Sequence, residues 1–131
     1  MAAKRRLLSR AAVRALKDDA VVDVEARLVR TLNALDTLDV RALVVVASVD
    51  RASSTRPGTI YVDDVSRQIR ANPPVTMAVL AELQGLGLVD DPSVGALRPD
   101  ASVWITPYGD DVVRMLREEG LDDELGAATA T

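Results

Sequence analysis

Four adjacent carboxylate pairs, Asp63–Asp64, Asp90–Asp91, Asp110–Asp111 and Asp122–Asp123, are the residues of this 131-residue chain that first suggest chemistry. A hard divalent cation takes several such oxygens at once. Neighbouring carboxylates on an extended strand point in different directions, however, and no second acidic cluster stands in a fixed relation to any pair. Two of the pairs fall at predicted helix starts, where the helix dipole stabilises negative charge. Ser53 and Ser54 sit in a turn-forming cluster, and the chain has no histidine or cysteine to activate them. The lack of histidine also removes the commonest general base. No phosphate-cradling or dinucleotide glycine pattern occurs. The chain is therefore read as a non-enzyme, with no catalytic residue, no metal site and no cofactor expected.

The basic residues offer a different chemistry. Lys4, Arg5, Arg6, Arg10, Arg14 and Lys17 fall within the first 17 residues without an acid, a local charge of +6. Residues 18–131 hold ten basic and twenty acidic residues, so the body carries −10 and the whole chain −4. A cationic arm on an anionic body can neutralise phosphates, the step that supplies most affinity for duplex DNA; it also fits a solubilising end. Aromatic residues are few, Trp104, Tyr61 and Tyr108 with no Phe, so base stacking is poorly supported. No apolar run approaches 18 residues and no signal peptide is read, so no membrane partner is expected. The absence of cysteine fits a cytoplasmic protein.

Hydrophobic periodicity places these residues on elements. Residues 1–19 form a basic arm or short helix, with Leu8, Ala12 and Leu16 at helical spacing. Residues 20–38 form a helix with Val24, Leu28, Leu32 and Leu35 as its apolar stripe, a candidate for dimerisation. From Asp39, a cap, the run "VRALVVVASVDRA" is predicted as a buried helix despite its β-prone valines. "TIYV" is a short strand. "DDVSRQIR" is a short helix with Val65 and Ile69 on one face. "ANPP" breaks it. The next helix turns Thr76, Val79, Leu80 and Leu83 inward and ends at Gly85 and Gly87. "LGLVDD" and "SVWITP" read as a hairpin around a turn-rich tip. Thr106–Pro107 opens a helix carrying Val112 or Val113 and Leu116 inward. Residues 120–131 read as an acidic flexible tail. The fold class is mainly α with a small β-hairpin (α+β), a winged helix-turn-helix over residues 39–119 with an amino-terminal helical extension.

"AVLAELQGLGLVDD" followed by "ALRPDASVWITPYGDDV" resembles the MarR family of winged-helix regulators. The residues that carry the resemblance are Leu83, Gly87, Leu88, Val89, Arg98, Asp100, Ile105, Thr106, Pro107 and Gly109. The likeness implies a transcriptional regulator that binds double-stranded DNA as a homodimer. Two departures stand out. The outward positions of the reading helix are Val75, Met77, Ala78, Ala81 and Glu82, where the family places polar and basic residues. Few residues follow Thr106, so dimerisation would lean on the amino-terminal helices. The family's small-molecule effectors find no support here, because aromatic residues to stack on them are scarce.

On that model Arg67 and Arg70 anchor the helix preceding the reader, Asn72 bonds a phosphate or base edge, and Val75, Thr76 and Met77 lie in or near the major groove. Val75, Met77 and Ala78 can touch thymine methyl groups. Arg98 enters a minor groove from the wing, with Arg51 and Arg56 beside the first strand. Lys4, Arg5 and Arg6 add phosphate contacts. The plainer readings are solvated helix arginines and an Arg98–Asp100 pair. The alternative function is a winged-helix protein–protein adaptor, host or phage, docking through the apolar face of the reading helix and binding no DNA.

Overall fold

The computed structural model describes residues 2–17, 22–49, 59–91 and 101–130. The chain divides into two compact units, Met1–Thr37 with Arg114–Thr131, and Leu38–Val113.

In the first unit, α1 (Ala2–Lys17) packs against α2 (Val22–Ala34) and α7 (Leu121–Ala130). α1 buries Ala3, Leu7 and Ala11. That stripe is rotated by one residue from the predicted Leu8 series, and Leu8 is only half-buried. The rotation puts two small residues either side of one leucine and leaves Arg6 and Arg10 able to reach Glu119. α2 buries Leu28, Leu32 and Leu35 as expected, but Val24 is 70% exposed and the neighbouring Glu25 is buried in its stead. The expected flexible tail is instead α7. Leu121 anchors it by complete burial. Asp122, Asp123 and Glu124 complement the dipole at its amino end, and Glu124 Oε1 accepts from the Ala3 N–H at 2.6 Å. These contacts draw the carboxyl-terminal segment to the amino-terminal helices, and Arg114–Thr131 belongs with Met1–Thr37 in one compact unit.

The second unit follows the predicted order. α3 (Thr37–Ala47) confirms a helix for the valine-rich run, burying Val40, Ala42, Leu43 and Val46. Asp39 does not cap it; the helix starts two residues earlier and Asp39 lies buried in its first turn. β1 (Thr59–Tyr61), α4 (Val62–Ile69), α5 (Pro73–Gly85), β2 (Val89–Asp90), β3 (Ser102–Ile105) and α6 (Pro107–Glu118) come next. The hairpin gains β1 as a third strand, in the antiparallel order β1-β3-β2 with Ile60 opposite Val103 and Val89 opposite Ile105. Alternation along the strands buries Val89, Val103 and Ile105, while Tyr61 and Trp104 face outward.

Gly87, Thr106 and Gly109, three of the residues that carry the family resemblance, prove to be packing devices. Gly87 takes φ 77°, its N–H bonds Gln84 O, and the Leu88 N–H reaches back to Leu83 O, each at 3.0 Å. This pairing is the left-handed glycine stop for an α-helix. Thr106 Oγ1 donates to Gly87 O at 2.6 Å and accepts from the Gly109 N–H at 3.0 Å, capping α6. A Cβ on Gly109 would lie 2.1 Å from Leu88 O, so only glycine fits there. The Gly-Leu-Val and Thr-Pro-x-Gly stretches thus clamp the end of α5 to the start of α6.

Candidate nucleic-acid interface

The turn between α4 and α5 is short and tightly held. Arg70 stops α4 in the left-handed region, φ 57° and ψ 44°, and its N–H bonds Ser66 O. The Ala71 N–H bonds the same oxygen at 3.1 Å. Ser66, itself buried, donates its hydroxyl to Ala71 O. Asn72 then starts α5: its Oδ1 accepts from the Val75 N–H at 2.9 Å, and Pro73 and Pro74 occupy the first helical positions. Two helices joined in this way, followed by a sheet hairpin, form a helix-turn-helix.

Around this turn lies an open cleft of about 400 Å³ lined by Asp63, Ser66, Arg67, Arg70, Ala71 and Pro73. Arg67 projects from α4 with its side chain 75% exposed and pairs with Asp64 one turn back. Arg70 is exposed, but it stands past the end of α4 rather than on it as predicted. The two guanidinium-bearing residues therefore flank one cleft beside the amino end of α5.

The other predicted positions divide. Val75 is 41% exposed and Met77 half-buried. Thr76 is fully buried and donates its hydroxyl to Asn72 O at 3.0 Å, so it supports the helix from inside and is unavailable to a groove. Asn72 is exposed, but its amide oxygen is committed to the cap. Lys4 donates to Leu35 O at 2.7 Å, and Arg6 pairs with Glu119 and Glu124. Those two cations are engaged within the first unit and are not a free arm; Arg5 is exposed. Arg98, Asp100, Arg51, Arg56, Ser53 and Ser54 lie outside the described residues.

Three of the four acidic pairs lie at the amino ends of helices, and Asp90–Asp91 lies at the end of β2. Asp63 and Asp64 occupy the first turn of α4, Asp110 that of α6, and Asp122 and Asp123 that of α7. Among the described residues no group of three or more metal-ligating side chains converges, and no helix is long and apolar enough to cross a membrane. Sequence reasoning missed two features. Trp104 and Tyr61, 40% and 59% exposed, share the outer face of the sheet, which strand alternation from "SVWI" would have revealed. The capping role of Asn72 was signalled by its place directly before two prolines.

A helix-turn-helix completed by a three-stranded sheet defines a winged-helix protein. Solved structures similar to this one include MarR-family regulators. The MarR repressor of Listeria monocytogenes superposes with a TM-score of 0.57 at 14% identity over 92% of this chain and 80% of that one. Sco5413, a MarR-family transcriptional regulator of Streptomyces coelicolor, gives 0.55 at 19% identity over 92% and 80%. MepR of S. aureus, solved as a DNA complex, gives 0.53 at 12% identity over 91% and 93%. No family model and no curated protein matches the sequence. The chain has the MarR-type winged helix-turn-helix fold.

Proposed function

We propose that this protein is a cytoplasmic DNA-binding transcriptional regulator acting as a homodimer. The observation that carries the reading is the placement of exposed Arg67 and Arg70 on one cleft at the amino end of α5. A helix-turn-helix sets its reader into the major groove while the preceding helix and the turn hold the phosphate backbone. Val75 then faces the groove, and Thr76 is replaced in that role by Ala78, which is exposed on the outer side. Apolar positions exposed on the amino-terminal helices, Val13 at 49% and Val24 at 70%, support dimerisation through that unit.

Binding of duplex DNA, measured by anisotropy across a salt series, tests the reading. Joint Arg67→Ala and Arg70→Ala substitution is expected to weaken binding to all sequences and to reduce the slope of log K against log salt by about 2, near 0.9 per phosphate contact. An unchanged slope refutes the docking.

One observation favours the adaptor reading: exposed residues of α5 include Glu82 and no cation. On that reading α5 covers a protein partner, and no duplex binding survives competition at moderate salt.

A further inference from the structure

α5 presents its outer face in an order that shows what kind of base edge it suits. Thr76, Val79, Leu80 and Leu83 point inward. At about 100° per residue, the middle of the opposite face falls to Pro74, Ala78, Ala81 and Gly85, all exposed. Val75 and Glu82 flank it on one side, Met77 and Gln84 on the other. Residues of this size let a helix backbone approach a groove floor closely.

Base-edge recognition by hydrogen bonds has few donors here. Adenine is read by an amide that accepts from N6 and donates to N7 together. Asn72 lacks that option because its Oδ1 is held by the Val75 N–H at 2.9 Å. Gln84 lies nine residues beyond Val75, about 13 Å along the helix at 1.5 Å per residue, while a reader helix contacts bases chiefly with its amino-terminal residues. Guanine needs an arginine or lysine, and residues 73–85 contain neither. What the first two turns do offer is apolar surface, with Val75 41% exposed and Ala78 exposed.

Resting on the DNA-binding reading above, we propose that α5 reads thymine through its 5-methyl group, with Val75 and Ala78 as the specificity-determining residues. The methyl is the one apolar group in the major groove, and it is the partner that a helix whose first two turns expose no hydrogen-bonding side chain selects. Specificity then falls on runs containing thymine at the positions beneath the amino half of α5, while the arginines beside the turn supply affinity without regard to sequence.

The test starts from a random-sequence duplex pool, from which the full chain selects its preferred site. Thymine in that duplex is then replaced position by position by deoxyuracil, which removes only the methyl, and cytosine by 5-methylcytosine, which adds one. Deoxyuracil at two or three positions is expected to weaken binding roughly fourfold each, the effect of one buried carbon. Val75→Ala is expected to reduce that penalty at one position only, and its exposed site leaves folding intact. Binding that is equal on thymine and fully deoxyuracil duplexes overturns the methyl reading and leaves DNA binding standing. A pool from which nothing is retained even at low salt overturns both.

Discussion

Arg6 and Arg10 of α1 and Arg67 and Arg70 of the helix-turn-helix are two pairs of guanidinium groups in two units of one chain, and their surroundings separate them. Glu119, its side chain 5% exposed, takes Arg10 at 2.6 Å and Arg6 at 3.6 Å, and Glu124 takes Arg6 as well. Among the described residues, Arg67 pairs with Asp64, a carboxylate 38% exposed. A buried carboxylate needs its cations, because an uncompensated charge away from water is costly. A half-solvated one does not, and such surface pairs contribute about 0–1 kcal/mol. The first pair is therefore committed to folding, and the second remains open to an outside anion. The difference teaches that the density of positive charge along a chain says little about its availability. Within the most basic stretch, Lys4, Arg6 and Arg10 are already engaged by the protein itself.

The largest effect that can break this comparison comes from the committed pair. Joint Arg6→Ala and Arg10→Ala substitution strips Glu119 of both cations. The expected loss is about 1.5–3 kcal/mol of stability, the range for hydrogen bonds to charged groups, read by urea or thermal unfolding. The slope of log K against log salt for duplex DNA should stay as in the parent. A fall of that slope by about 2, at unchanged stability, would mean that α1 holds phosphate and that the two pairs are alike.

Arg70→Gly comes next and acts on both properties with opposite signs. A left-handed conformation costs an L-residue roughly 1–2 kcal/mol, and glycine adopts it freely. Stability should therefore rise by about 1 kcal/mol. One phosphate contact is lost at the same time, which at 0.1 M salt weakens binding roughly eightfold by the counterion relation. A variant that gained stability and kept full affinity would remove Arg70 from the interface.

The fold was largely legible from residue periodicity because each strong signal had one physical solution. Thr76, Val79, Leu80 and Leu83 are buried as their spacing requires, and Gly87 stops α5 because its φ of 77° suits glycine. Helix rotation was less legible where apolar residues are dense. In "RRLLSRAAVRALK" either leucine can lead the stripe, and the choice of Leu7 over Leu8 is coupled to a carboxylate more than a hundred residues away, Glu119. The α7 helix was hidden for the same reason: a helix of 10 residues is marginal on its own whatever its composition, and Leu121 with the Glu124–Ala3 bond decides it. In the candidate site, the exposed arginines stand out by residue type, whereas the structural roles of Thr76 and Asn72 do not. Their hydroxyl and amide look available in sequence, yet both serve the first turn of α5.

The smallest effect probes how lightly Arg67 is held. Asp64 stands three residues before it on the same face of α4, in the first turn. Asp64→Asn removes both an i,i+3 ion pair and a charge favoured by the helix dipole, contributions of about 0.3–0.5 kcal/mol and 0.3–1 kcal/mol. Stability should therefore fall slightly. Affinity should rise, by roughly two- to threefold, because Arg67 no longer divides its charge and an approaching phosphate meets one carboxylate fewer. Asp63→Asn is the matched control. It lies in the same first turn, is exposed, and shares the dipole effect without facing Arg67 in an ion pair. The excess gain of the Asp64 variant over the Asp63 variant isolates release of Arg67 from general loss of negative charge. Equal gains from both would show that Asp64 does not restrain Arg67, and would leave only net charge to explain the binding.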